Sequence, residues 1–263
     1  MLTIKEPMSM SDKIPHVYNR NLIPLLESSV IMLYGQGGIG KSMAAIHSAI
    51  KFVENNPNKK AVLWLTEDSE GENRKRFVNL VKAFSDKPTD YFNSRIHFIS
   101  SEPIRFTVLK DGNALPSSDF HIIESELKQY DLIVLDPLLQ FQGGDENNNT
   151  HAGTMMGLLK SWTAEYQKIV LLLHHATFYT DTPDKPRARG AKEWVNGTRG
   201  AYSLKRLKKP SVGATKDEIM AFYEKLEITL EKDNGLSSVL MQKYGSTTFT
   251  LTMFPPLNCL KEY

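Results

Sequence analysis

Val30-Ile31-Met32-Leu33-Tyr34-Gly35-Gln36-Gly37-Gly38-Ile39-Gly40-Lys41-Ser42-Met43 is an apolar run that breaks into glycines and closes on a lysine and a hydroxyl. The spacing is Gly, four residues, then Gly-Lys-Ser. A chain of 263 residues matches it by chance only about 1% of the time. The run before it reads as a strand. Met43 to Val53, rich in Ala and Ile, reads as a helix. The glycines permit positive φ and leave room for phosphate, so successive backbone N–H groups and the helix N-terminus face an anion. Gly35 to Met43 is therefore the expected nucleotide-binding segment. Lys41 is placed to reach the β- and γ-phosphates of ATP, and the Ser42 hydroxyl to hold Mg²⁺.

Outward from the loop, strands and helices alternate. Ala61 to Thr66 is a continuous apolar run, as expected of a strand covered on both faces. Glu70 to Phe84 carries a helical stripe of Phe77, Leu80, Val81 and Phe84. Ile96 to Ile99 is a short strand. Asp111-Gly112 marks a tight hairpin, and Ser117-Ser118-Asp119 caps a helix to about Gln129. Leu132 to Asp136 is a strand, Gly153 to Tyr166 a helix, and Ile169 to Leu173 a strand. Such alternation predicts an α/β fold with a mainly parallel twisted sheet flanked by helices. Thr177 to Thr198 reads as a polar loop. Beyond Phe222, strand patterns over Lys225–Glu231, Leu236–Lys243 and Thr247–Met253, with a turn at Gly245-Ser246, predict a C-terminal antiparallel extension of the same sheet. Residues 1–28, broken by Pro7, Pro15 and Pro24, read as an N-terminal arm, and residues 29–263 as one ATPase domain.

Hydrophobic residues make up 41% and charged residues 24%, the balance of an ordinary globular chain. A net charge of +2 neither proves nor excludes nucleic-acid binding, since positive charge can be focused in a pore. Cys259 is the single cysteine, which rules out an internal disulfide and a cysteine-based zinc cluster. No apolar run is long enough to cross a bilayer, and Met1 to Pro7 lacks a signal-peptide core, so a cytoplasmic location is expected.

Nucleotide hydrolysis needs more than the loop. Asp136 ends an apolar strand about 95 residues downstream and is expected to hold Mg²⁺ through water. Glu67 ends the strand that begins at Ala61, and ligands of open α/β sheets lie at the carboxyl ends of the strands. Glu67 is the expected base for the attacking water, and its neighbour Asp68 reads as an N-cap for the helix that follows. His174 and His175 close a further strand. Neighbouring strand residues face opposite sides, so one of the pair faces the nucleotide and the other the core. Arg187, Arg189 and Lys192, then Arg199, Lys205, Arg206, Lys208 and Lys209, supply cations. An arginine lent by a neighbouring subunit can stabilise charge on the transferring phosphoryl group. Lys232 and Asn234, at the end of a late strand, are candidates for the same reach.

These motifs together resemble the RecA-type motor family, nearest the RepA-type hexameric replicative helicases of broad-host-range plasmids and the AAA ATPases grouped with them. The likeness covers roughly residues 29–255. It rests on Gly35 to Ser42, Trp64-Leu65-Thr66-Glu67-Asp68, Leu135-Asp136-Pro137-Leu138, Leu173-His174-His175-Ala176 and Thr198-Arg199-Gly200-Ala201, with Arg76 as the basic residue after the acidic pair. The resemblance implies a RecA-like core, Glu67 as catalytic base, Asp136 as Mg²⁺ partner and His175 as γ-phosphate sensor. It also implies a Lys-x-Arg pair reaching the adjacent subunit's nucleotide. Here Lys232 and Asn234 stand in that place, so the finger falls to Arg199 or Arg206. DNA-contacting loops are implied at Phe141–His151 and Phe178–Asn196.

The leading expectation is an ATP-driven DNA helicase. It forms a homo-oligomeric ring, a hexamer by the resemblance, on single-stranded DNA, working with other replication proteins and no membrane. An ATP-switched DNA-binding protein, such as a loader or recombination mediator, is the alternative. A small-molecule kinase fits less well, because of Glu67, His175 and the antiparallel tail.

Overall fold

Val30 to Tyr34 lies inside the central strand of a nine-stranded sheet, flanked by helices on both faces. The computed structural model describes residues 15–20, 22–179, 182–207 and 211–252. Lys208 and Lys209 fall outside them. From the amino end, Val17–Tyr18 (β1) pairs with Leu25–Leu26 (β2), and Ser29–Gly35 (β3) leads into Lys41–Asn55 (α1). Ala61–Leu65 (β4), Glu70–Phe84 (α2) and Ile96–Ile99 (β5) follow. Thr107–Lys110 (β6) and Asn113–Pro116 (β7) form the hairpin expected at Asp111-Gly112. Then come Ser118–Leu127 (α3), Leu132–Asp136 (β8), Leu138–Phe141 (α4), Asn149–Tyr166 (α5) and Ile169–Tyr179 (β9). Thr182–Ala188 (β10), Glu193–Asn196 (α6), Gly200–Arg206 (β11), Lys216–Glu224 (α7), Lys225–Asp233 (β12), Ser237–Tyr244 (α8) and Thr248–Thr252 (β13) complete the described chain.

The sheet runs β13-β12-β11-β3-β9-β8-β4-β5, with β10 added to β9. The six strands from β11 to β5 are mutually parallel, and β12, β13 and β10 are antiparallel to their neighbours. The mainly parallel sheet and its antiparallel C-terminal extension are thus as the sequence predicts. Strand side chains alternate between two cores. Ile31, Leu33, Leu63, Leu65, Val134, Leu171 and Leu173 pack on the side of α1 and α2. Val30, Met32, Val62, Trp64, Ile133, Leu135, Val170 and Leu172 pack on the side of α3 and α5. Burial on both faces is why these strands read as unbroken apolar runs.

Residues 15–28 contribute to the first of these cores through Val17, Leu22, Ile23, Leu25 and Leu26. The Tyr202 hydroxyl, buried among them, donates to the Pro24 carbonyl at 3.0 Å. Tyr202→Phe removes that donor and is expected to cost about 1–2 kcal/mol. The check is a lower urea midpoint with an unchanged slope; an unchanged midpoint would show that this bond does not tie the amino-terminal segment down.

Four local expectations are corrected. Leu236 to Lys243 is not a strand: α8 forms instead, because Leu236 and Leu240, one helical turn apart, are both buried against the α1-side core. The Asp233 carboxylate accepts from the Leu236 and Ser237 amides at 2.5 and 3.0 Å, starting the turn. Gly245, at φ 66°, terminates that helix rather than turning a hairpin. Thr177 to Thr198 is not a plain loop: β9 runs on to Tyr179 and pairs with β10, Ala188 opposite Ala176. Pro183 and Pro186 made this segment read as irregular, yet prolines are tolerated where the pairing is interrupted, as it is between Thr182 and Arg187. Finally, the cap of α2 is Ser69, not Asp68. The Ser69 hydroxyl accepts from the Glu72 amide and the Glu72 carboxylate accepts from the Ser69 amide.

Candidate active site

Gly35 ends β3, and the chain wraps through Gly38 at φ 70° and Gly40 at φ 105° before α1 starts at Lys41. Those left-handed angles suit glycine and turn the loop amides and the helix N-terminus toward a common point. The Lys41 ammonium is buried and donates to the Gly35 and Gln36 carbonyls, each at 3.2 Å. Burial pushes its pKa below the usual lysine range, opposed by the nearby carboxylates of Asp136 and Glu67.

Asp136 is 1% exposed. One carboxylate oxygen, Oδ2, accepts from the Ser42 hydroxyl at 2.6 Å, while Oδ1 is buried with no hydrogen-bond partner among the described residues. Burial pushes its pKa up to about 6, against the Ser42 hydrogen bond that lowers it. A buried carboxylate oxygen left unpaired beside a serine hydroxyl, at a glycine-rich anion cradle, is the oxygen-donor set that suits Mg²⁺. Ser42 and Asp136 therefore fit the ion.

Strand order and parity bring the remaining groups together. β8 lies between β4 and β9, and β9 lies beside β3, with His175 level with Gly35. Gly35, Asp136 and His175 continue the alternation of Leu33, Val134 and Leu173, so they turn to the α1 side. Glu67 lies two residues past Leu65 in the same set. The Thr66 amide and hydroxyl both donate to the Asp136 carbonyl, at 2.9 and 3.1 Å, holding the Glu67 segment against β8. Across 108 residues of sequence, His175 Nε2 and Glu67 Oε1 lie 3.1 Å apart. An ionised carboxylate only accepts, so Nε2 carries the proton. His174 has the opposite parity. It is buried near Trp194, its Nε2 donates to the Arg189 carbonyl at 2.7 Å, and burial lowers its pKa to about 4. His174 is thus the core-facing member of the pair. Asp68 takes part in a two-pronged ion pair with the Arg76 guanidinium.

The cations separate by position. Arg206 lies two residues beyond Leu204, the residue level with Gly35, so it is at the phosphate-loop end of its own sheet. Arg199 precedes Gly200, which is level with Ile31, and Lys232 is paired with Ala201. Both lie roughly 10–16 Å down the sheet from the loop. The Lys232 ammonium donates to the Asn196 carbonyl. Its pKa is lowered by burial first, then by Lys160 and Arg199 nearby, with Glu193 opposing. Within one chain the structure brings Gly35 to Met43, Glu67, Asp136 and His175 together, and leaves Arg199 and Lys232 apart from them. In the segment after β9, Arg187 is opposite Thr177, Lys192 is exposed, and Arg189 makes an ion pair with Glu146 at 2.8 Å. The sequence marks Thr66 and Glu146 only as members of longer segments, without a partner for either. Each bonds to a residue far away along the chain, and no local pattern announces that.

A family model described as AAA domain matches residues 8–178. No curated protein matches the sequence significantly. Among solved structures, the ATPase domain of G40P aligns with a TM-score of 0.57 at 13% identity, covering 85% of this chain and 80% of that one. The RadB recombinase aligns with a TM-score of 0.50 at 16% identity, covering 80% of this chain and 84% of that one. These likenesses establish a RecA-like ATPase fold.

Proposed function

The chain belongs to the AAA domain family, and on that premise we propose that this ATPase is a motor that moves on single-stranded DNA as a ring of identical subunits, a hexameric replicative helicase of a plasmid or phage. The observation that carries this reading is the continuity of β9. His175, facing the phosphate loop and bonded to Glu67, stands on the strand that runs straight on into the Arg-bearing hairpin β9–β10. A change in what His175 touches is transmitted along a hydrogen-bonded ladder to the segment best supplied with DNA-binding cations.

In this reading the loop amides and Lys41 hold the phosphates of ATP. Mg²⁺, held by Ser42 and through water by Asp136, would neutralise charge on the β- and γ-phosphate oxygens. Glu67 takes the proton of the attacking water, and its bond to His175 fixes which way the carboxylate faces. The His175 Nε2 proton is also the donor a γ-phosphate oxygen competes for. Lys232 and Arg199, grouped with Lys160 at the far end of the sheet, are the cations we assign to a neighbour's phosphates. Arg206, at the loop end, stays beside its own. The G40P and RadB likenesses support a DNA-associated role through the shared fold.

Lys41→Ala is expected to weaken ATP binding about 10- to 100-fold, the worth of one or two charge-assisted hydrogen bonds. Titration with a fluorescent ATP analogue checks it; unchanged affinity would remove Lys41 from the site. The motor itself is tested with a forked duplex and ATP, alongside native mass with an ATP analogue and oligothymidine. Strand separation by a hexamer is the expected result. DNA-stimulated hydrolysis without strand separation would instead favour an ATP-switched loader or mediator. The feature that favours this second reading is Asn234, standing where the resemblance calls for an arginine.

A further inference from the structure

The segments that follow β8 and β9 are locked to each other through one residue, Glu146. Its backbone carbonyl accepts from the Ala191 amide at 2.8 Å and from the Trp194 indole at 2.9 Å. Its carboxylate oxygen Oε2 accepts from Arg189 Nε at 3.1 Å and Nη2 at 2.8 Å. Gly190, at φ 82°, lets the chains approach, since a Cβ there would meet the Glu146 carbonyl oxygen at 2.5 Å. Arg189 is in turn joined to both histidines of β9. Its amide donates to the His175 carbonyl at 3.0 Å, and its carbonyl accepts from His174 Nε2 at 2.7 Å.

We propose that Glu146 is a positioning residue that stands in for a DNA phosphate. It holds the Arg189 guanidinium in the fork geometry that grips an oxyanion and releases it to an incoming strand. A guanidinium meets a carboxylate and a phosphate with the same paired N–H groups, so one can replace the other without rebuilding the site. The pair is open enough for exchange: the Arg189 side chain is 42% exposed and that of Glu146 24%. A part-exposed pair of this kind adds little to stability, so a phosphate can displace it. Because the Arg189 backbone is bonded to His174 and His175, the exchange on the DNA side is felt at the residue facing the γ-phosphate. The unlocked carboxylate also frees the Phe141–His151 segment from Arg189 while the Glu146 backbone bonds keep it in place.

This inference rests on the DNA-motor reading, and its test separates the two. Binding of labelled oligothymidine is titrated over a range of salt, and ATPase rates are measured with and without it. Glu146→Gln keeps the backbone carbonyl bonds and removes the competing charge. It is expected to tighten oligothymidine binding about 3- to 10-fold and to shrink DNA stimulation of the ATPase, with the melting curve unchanged. Glu146→Asp, which keeps the charge, is expected to stay near wild type. Arg189→Gln is expected to weaken binding and flatten the plot of log affinity against log salt by about 0.7, one phosphate contact on a single strand. In Glu146→Gln/Arg189→Gln the gain is expected to vanish. If Glu146→Gln binds as wild type does, or the double variant keeps the gain, Glu146 is not a phosphate stand-in, although the motor reading survives. Should Glu146→Gln not fold, an unaltered salt slope in Arg189→Gln overturns the proposal by itself. If the wild-type protein neither binds oligothymidine nor is stimulated by it, both readings fall.

Discussion

Glu67→Gln is expected to lower the turnover of ATP by about 10²- to 10⁴-fold, the usual worth of a general base, while leaving ATP affinity within about threefold of wild type. The substitution is well suited to the question because it preserves shape and contacts. A glutamine oxygen still accepts from His175 Nε2, which lies 3.1 Å from the carboxylate oxygen in the native chain. The anchoring bonds from Thr66 to the Asp136 carbonyl involve no atom of residue 67. Only the basicity is lost. Single-turnover hydrolysis read beside equilibrium binding separates the two quantities. Near-normal hydrolysis by Glu67→Gln would take the base assignment away from this residue. A parallel loss of binding would mean that Glu67 shapes the pocket and does not act on water.

Asp136→Asn is expected to move activity and stability in opposite directions. Burial raises the folded pKa of Asp136 from 3.8 to about 6. The unfolded chain therefore gives up this proton first as pH rises. Between roughly pH 4 and 6 the ionised carboxylate is taken on at a cost to the fold, and above that range the cost is fully present. A rise of that size in pKa corresponds to about 3 kcal/mol. An asparagine is spared most of that cost, so the variant in EDTA at pH 7 is expected to gain about 2 kcal/mol, or roughly 4–8 °C in melting temperature. In Mg²⁺ its ATPase rate is expected to fall by at least about 100-fold. With Asp136 in the proposed Mg²⁺ role, the same proton would compete with the ion, so Mg²⁺ affinity is expected to fall as pH drops through about 6. Calorimetric melts in EDTA and Mg²⁺ titrations at several pH values check both halves. A melting temperature that is unchanged or lower in EDTA would show that the carboxylate is compensated in the fold and is not held there for the ion.

The central sheet, and the residues it gathers at the candidate site, were legible because each depends on local pattern. Continuous apolar runs named the buried strands, and the glycines with Lys41 and Ser42 named the cradle. Carboxylates and histidines at strand ends named Glu67, Asp136 and His175, since strand ends are where such sheets keep their chemistry. What the residues could not supply was lateral order. That Glu67 touches His175 follows only once β4, β8 and β9 are known to be neighbours. The level at which Arg199, Arg206 and Lys232 sit depends on which strands of the tail run antiparallel. The misread helix α8 has a different cause, one already present in the residues. Leu236, Val239 and Leu240 follow the i, i+3, i+4 spacing of a helix and not the alternation of a strand, and the core receives Leu236 and Leu240 accordingly.

The shared parity of the site has an evolutionary side. His174 and His175 are chemically the same residue and differ only in which face of β9 they occupy. One residue inserted between Ile169 and Leu173 would move each of them on by one place, setting His174 level with Gly35 and Leu173 beside Trp194. A chain carrying two consecutive histidines there keeps an imidazole on the phosphate-loop face through such a slip, whereas a lone histidine at position 175 would be carried off it. The doubled histidine thus buffers the site against a frame error in the strand that carries it.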